Sequence, residues 1–423
     1  MRKYLISIII FATVLPVVAQ EEEKKISVDV YGFVRNDFYY ESRRSTTVAA
    51  GAYHLVPLDK NLNELNEDLN AIPSSRLLSI ASRFGLRVNG PDVWGAAASA
   101  RLEGDFDGFS GSNTMLRIRQ AWIKLTWSKV DLLTGQTWHP MFGDVVPTVL
   151  SLSTGNPFQP FNRSPQIRVD YKMNPFKVYL SGLYQLQYTS VGPKGPNDVY
   201  LKDAILPELY LGFDFMKNGW IAGAGADFIY LRPRTTGPRQ IEIDGEAEPK
   251  TINVKVSDNI SALAFNAFVQ YSKDNFAIKA KTIYGQNMAH LLLPGGYGVS
   301  KENADGSLEY TNLNNSTSWL NVTYGKKYQA GLFLGYSKNL GSSKELLQTP
   351  YTHPLFQSEG KSYLDQVYRI SPQLSYNVKH WTFGVEYELT TASYGSVDLK
   401  NGKARDTNNV TDHRVTGVMA YNF

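Results

Sequence analysis

The chain has 423 residues, a formal net charge of +4 and no cysteine. Without thiols it has neither a disulfide framework nor a processed cysteine for lipid attachment, and so balanced a charge leaves no electrostatic footprint for nucleic acid. Its 26 tyrosines, 20 phenylalanines and 34 glycines, with no apolar run after Val18 long enough for a membrane helix, suit an exported chain that crosses a bilayer as a closed sheet, because closure pairs every backbone group.

Residues 1–19 read as a cleaved signal peptide. Arg2 and Lys3 are its charged head, Tyr4 to Val14 its apolar run, and Val18-Ala19 the small-residue site before Gln20. The run falls short of the roughly 20 apolar residues of a membrane anchor. Loss of Arg2 and Lys3 takes the charge from +4 to +2. The mature chain, 20–423, shows no internal composition break and is expected to be a single domain.

The first strand runs from Ile26 to Ser42. Ile26, Val28, Val30, Gly32, Val34, Phe38 and Tyr40 share one face, with Asp29, Tyr31, Arg35 and Asp37 on the other. In the connection that follows, Leu55, Leu58, Leu62, Leu65 and Leu69 recur at intervals of three and four. That spacing predicts a short amphipathic helix opening near Asp59 behind Pro57. Alternation resumes in Arg76 to Asn89, where Leu78, Ile80, Phe84, Leu86 and Val88 oppose Arg83 and Arg87. After the Gly90-Pro91-Asp92 turn, Ala98, Ala100 and Leu102 oppose Arg101, Glu103 and Asp105.

A strand over Asp131 to Trp138 is followed by an irregular segment from His139 to Pro165 that carries five prolines, and the chain returns as Gln166 to Tyr171. A loop of this length without a period marks function or disorder. Seven short turns alternate with eight mostly longer connections, which gives sixteen antiparallel strands. Short joins on one rim and long ones on the other are the pattern of a bacterial outer-membrane barrel and not of a soluble sandwich. The count puts the 139–165 loop after the fifth strand, where it is expected to fold inward. Trp138, His139, Phe142, Asp144, Phe158 and Phe161 are its expected constriction residues. Trp94, Tyr188, Tyr230, Tyr324 and Trp381, near strand ends, suit the aromatic girdles of the two membrane interfaces. The last strand puts Val415, Gly417, Met419, Tyr421 and the terminal Phe423 on one face, which resembles the signal read by the barrel assembly machinery.

If the apolar faces meet lipid, the charged faces enclose water. The cost of the opposite choice decides this, since each Arg or Lys on the lipid face at mid-membrane costs about 2–4 kcal/mol. Arg35, Arg83, Arg87, Arg101, Arg117, Arg119 and Arg168 then line the pore, joined by Lys279 and Lys281, with Glu103, Asp105, Asp170, Asp214, Glu386 and Glu388 as inward acids. Arginines partly paired with those acids and partly free would favour anions, an effect that salt weakens. The six histidines form no spaced metal motif and none stands beside a Ser nucleophile, so neither enzyme chemistry nor a metal or cofactor is expected.

Three segments together, Leu116-Arg-Ile-Arg-Gln-Ala-Trp122, Gly135-Gln-Thr-Trp138 and Asn162-Arg-Ser-Pro-Gln-Ile-Arg168, resemble the DcaP-like porins of Gram-negative outer membranes, and Arg83-Phe-Gly-Leu-Arg87 is similar too. The resemblance implies a sixteen-stranded trimeric porin that passes small, often dicarboxylic, anions through an arginine-lined constriction, with Arg83, Arg117, Arg119, Arg163 and Arg168 as the matching positions. The longer N-terminal helical coil of family members is missing between Gln20 and Ile26, so a trimer would rest on barrel walls and loops. The competing reading from another class is a structural or adhesive surface barrel, plugged inside, that binds a partner through its long loops.

Overall fold

An extended chain turns successive side chains to opposite faces, so a segment that is apolar at every second position acquires one greasy and one polar side. The computed structural model describes residues 25–110, 113–242, 248–358 and 362–423; the expected signal peptide, 1–19, lies outside them. In it these two-sided segments become sixteen antiparallel strands. The first five are β1 (Ser27–Glu41), β2 (Ser74–Leu78 and Arg83–Asn89), β3 (Ala97–Ser110), β4 (Asn113–Thr126) and β5 (Val130–Trp138). Next come β6 (Arg163–Met173), β7 (Phe176–Leu183), β8 (Glu208–Lys217), β9 (Trp220–Leu231), β10 (Ile260–Lys273) and β11 (Phe276–Gln286). The last five are β12 (Leu308–Gly325), β13 (Tyr328–Ser342), β14 (Ser362–Val378), β15 (Trp381–Val397) and β16 (Ala404–Asn422).

Each strand pairs with its neighbours in sequence, and β1 pairs with β16, Val34 opposite Tyr421 and Tyr40 opposite Val415. Gly32 and Phe423 exchange both backbone hydrogen bonds at 3.0 Å. Among the described residues the ring is closed and leaves no unpaired strand edge. On β1, Val28, Val30, Val34, Phe38 and Tyr40 are exposed while Asp37 and Tyr39 are buried, and the same division recurs around the wall. Tight joins follow every second strand. In the one after β8, Asn218 and Gly219 both take positive φ, 52° and 82°, as the twist of a two-residue hairpin requires. Trp94, Trp220, Tyr324, Tyr328 and Trp381 are exposed beside these tight joins, which makes an aromatic girdle at that rim.

The buried apolar core lies inside the ring. Tyr53, Leu55 and Val56 from the first long connection and Phe142, Val145, Phe158 and Phe161 from the 139–162 segment pack with Trp319, Phe333 and Val367 of β12, β13 and β14. Tyr188, expected at a girdle, belongs to this interior, its ring 6.2 Å from that of Phe161. The helix expected over Leu55 to Leu69 does not form. Ser45–Val48 and Tyr53–Pro57 pair as a hairpin, and 58–73 is a chain of turns. Short polar side chains there outcompete helix hydrogen bonds. Asn63 Oδ1 accepts from Leu65 and Glu67 N, both at 2.9 Å, and Asp68 Oδ1 accepts from Asn61 and Asn70 N at 3.1 and 3.0 Å. Leu62, Leu65 and Leu69 consequently stay exposed while Leu55 is buried.

Candidate functional site

Backbone groups that leave a sheet ladder need other partners when buried, and the segment between Trp138 and Arg163 finds them across the barrel. Trp138 faces Arg163 in the β5–β6 register and stacks on Phe142 at 3.9 Å. From β11, Lys281 Nζ donates to the carbonyls of Met141 and Phe142 at 3.1 and 2.6 Å, and Lys279 Nζ donates to Val146 O at 3.0 Å. Asn321 of β12 accepts from Thr148 N at 2.8 Å, and Glu386 of β15 accepts from Leu150 and Ser151 N at 2.5 and 2.7 Å. Arg369 of β14 donates to Asn156 O at 3.0 Å, and Arg35 of β1 to Leu150 O at 2.5 Å. The loop therefore folds inward and is pinned to the wall opposite its root. Phe158 seats its ring over Gly335, where a Cβ would lie 2.4 Å from a ring carbon; only glycine lets the loop approach so closely.

The first hairpin is inserted as well. His54, with 0% exposure, lies 3.2 Å from Asp412 through Nε2. Arg369 donates to Leu55 O at 2.8 Å and Tyr394 to Pro57 O at 2.9 Å.

The wall at the loop's root carries a ladder of charges on β2, β3 and β4. Arg101 meets Glu103 at 2.7 Å, Arg119 meets Glu103 at 3.1 Å and also Asp105, and Arg117 meets Asp105 and Asp107 at 2.9 and 3.1 Å. Arg83 lies 3.8 Å from Glu103, and Arg87 rests 4.1 Å from the centre of the Tyr31 ring. Five arginines against three carboxylates leave an excess of two positive charges. On β6, beyond β5, Arg168 pairs with Asp170 at 2.8 Å.

Between ladder and loop lies a recess of about 270 Å³, lined by Arg101, Lys124, Arg168 and Lys177 among the cations, Asp144 and Asp214 among the acids, and Trp122, Trp138 and Tyr179. Arg83, Arg101, Arg117 and Arg168 keep 21–26% of their side chains exposed. The structure moves three expected pore residues off the water: Arg119, Arg163 and Lys281 are at most 3% exposed. Lys281 is covered by the loop whose carbonyls it binds. Arg163 sits with its guanidinium 4.5 Å from the Trp138 ring and 5.5 Å from that of Phe161, as part of the packing at the loop's root.

Of the expected constriction residues, Phe142, Phe158 and Phe161 are buried in the interior core, whereas the Asp144 side chain is 62% exposed and stands 3.8 Å from Lys177. His139, at the loop's root, is buried and meets Glu208, Asp227 and His290. Lys177 and Arg369 went unnoticed in the sequence, although Arg369 lies between the apolar Tyr368 and Ile370 in plain alternation and could have been found by it. His54 carries no such signal, because an inserted loop has no period.

A family model described as Gram-negative porin matches residues 7–423. No curated protein is matched. Among solved structures, the outer membrane channel DcaP of Acinetobacter baumannii is similar over 96% of this chain and 100% of its own, at 18% identity and a TM-score of 0.65. The trimer form of OmpT, an outer membrane protein of Vibrio cholerae, is similar over 95% of this chain and 100% of its own, at 11% identity and a TM-score of 0.54. An anion-selective porin from Comamonas acidovorans is similar over 94% and 100% of the two chains, also at 11% identity and a TM-score of 0.54. At such identities the structural likeness carries the fold alone.

Proposed function

Since this chain belongs to the Gram-negative porin family and is an outer-membrane channel, we propose that it passes small hydrophilic solutes by passive diffusion and favours anions such as carboxylates, without catalysis. The observation that carries the anion preference is the recess between ladder and loop, where Arg101, Lys124, Arg168 and Lys177 border the same space. All four cations have an acid partner, so the field comes from the ladder's excess of two charges and from how the guanidinium groups are presented. Partly wet guanidinium groups keep donors free for a carboxylate, which binds a planar fork in two places. Narrow water between low-dielectric walls strengthens such a bias, and salt screens it over about 10 Å at 0.1 M.

The Comamonas relative, itself described as anion-selective, adds weight to this reading. The trimer form of the Vibrio protein supports a homotrimer here, and the closing strand that ends on Phe423 fits recognition by the barrel assembly machinery. A plugged barrel that binds a partner draws on one observation, the insertion of the Tyr53–Pro57 hairpin beside the constriction loop.

Reversal potential across a KCl gradient in planar bilayers tests the proposal. An anion-preferring value that moves toward cations in Arg101→Ala and Arg168→Ala is expected. A cation-preferring wild type contradicts the anion reading, and a folded barrel that carries no current sustains the plug.

A further inference from the structure

Four side chains that could ligate a metal converge where the constriction loop leaves the wall. His139 opens the loop, Glu208 starts β8, Asp227 belongs to β9, and His290 lies in the connection after β11. All four are at most 2% exposed. Their ligand atoms lie within 4.8 Å of one another. His139 Nε2 is 2.6 Å from Glu208 Oε1 and 3.8 Å from Asp227 Oδ1, and His290 Nε2 is 3.1 Å from Glu208 Oε1 and 3.9 Å from Asp227 Oδ2.

A tetrahedral ion with bonds of 2.0–2.2 Å needs ligand-to-ligand separations of roughly 3.3–3.6 Å. The observed separations straddle that range, so shifts of several tenths of an ångström make a coordination sphere. A second observation points the same way. Glu208 Oε2, Asp227 Oδ1 and His290 Nδ1 are buried without a hydrogen-bond partner. Two adjacent buried carboxylates are costly in one another's field unless a cation stands between them.

We propose that His139, Glu208, Asp227 and His290 bind one transition-metal dication of the zinc type, which fastens the root of the constriction loop to β8, β9 and the connection after β11. Two imidazoles with two carboxylates suit Zn²⁺ or its neighbours in the first transition row, whereas Ca²⁺ and Mg²⁺ favour all-oxygen sets. The surroundings are those of a structural site: Met141, Tyr210, Met288 and Leu291 form a buried apolar cluster beside it, and the Tyr210 ring lies 6.1 Å from that of His139. His139 also borders the 270 Å³ recess, which supplies a route from water. His139 Nδ1 accepts from Met141 N at 3.1 Å. A cation on Nε2 leaves the ring proton on Nδ1, so loading opens that contact. None of this depends on which solute the channel prefers.

The test uses the full-length folded protein in detergent, stripped with chelator, desalted and exposed to ZnCl₂ or CoCl₂. We expect one Zn²⁺ retained per chain by plasma mass spectrometry, and with Co²⁺ the intense visible absorption of a tetrahedral centre. Glu208→Gln combined with Asp227→Asn should weaken retention at least about tenfold, since losing only an outer-shell partner of a metal ligand already costs about that much. The wild-type cobalt spectrum is independent of whether the variants fold. Wild type that retains no zinc and gives only the weak octahedral cobalt spectrum overturns the proposal, as does equal zinc retention by wild type and a folded double variant.

Discussion

On the β2–β4 wall, Arg101, Arg117 and Arg119 meet carboxylates of their own ladder, while on the β11–β15 wall Lys279, Lys281 and Arg369 donate to backbone carbonyls of inserted loops. The residue types are alike and their surroundings are not. Arg101 and Arg117 remain about a quarter exposed, whereas Arg369 is 1% exposed beside an equally buried Glu388. Exposure decides what a charge can do. A partly wet guanidinium stays available to a passing solute, whereas a sealed one holds structure and has nothing left to offer the water.

Substitutions should separate the two walls. Arg369→Ala has the largest expected effect. It strips Glu388 of a partner at 3.1 Å and frees the carbonyls of Asn156 and Leu55, and losing one member of a buried pair costs about 3–5 kcal/mol. Urea unfolding should show that loss, and single-channel records should become noisier as both inserted segments loosen. Gly335→Val follows. Its side chain would collide with the Phe158 ring, and overpacking of that kind costs about 1–3 kcal/mol, again with an unsteady conductance. Arg101→Ala should cost less stability than either, because the buried Glu103 keeps Arg119 at 3.1 Å and Arg83 at 3.8 Å, yet move the reversal potential toward cations. If Arg101→Ala destabilised the barrel as much as Arg369→Ala, the distinction between the walls would fail.

The expectation with least bearing on the two walls concerns the connection after β13, outside the membrane strands. Burial pushes the His353 imidazole down to about 4, and its Nδ1 accepts from Leu355 N at 3.2 Å. A histidine whose folded value lies below its unfolded one stabilises fully above about 6.5 and loses that contribution as pH falls toward 4. An NMR titration of the ring should therefore give a midpoint near 4; a midpoint near 6.5 would mean that this connection is open to water.

The period-two pattern made most of the wall legible in the sequence: sixteen strands, the greasy face of β1, the aromatic end of the closing strand, and the long loop after β5. What it could not convey lies inside the ring. The Leu55 to Leu69 spacing imitated a helix because spacing alone ignores Asn63 and Asp68, whose carbonyl and carboxylate oxygens cap turns. Arg163 carried the family's motif, but its burial depends on Trp138 and Phe161 folding over it. His139 and His290 meet at Glu208 although they stand far apart in the chain, and no local motif registers such a meeting. Strand faces follow from neighbouring residues, whereas loop contacts across a barrel do not.

That the ladder faces conducting water and the apolar face meets lipid can be tested directly, because the chain has no cysteine of its own. With Arg101→Cys and Val30→Cys made separately, a charged, membrane-impermeant methanethiosulfonate reagent should cut the single-channel current of Arg101→Cys and leave that of Val30→Cys unchanged. Block of Val30→Cys with no effect on Arg101→Cys would contradict the account.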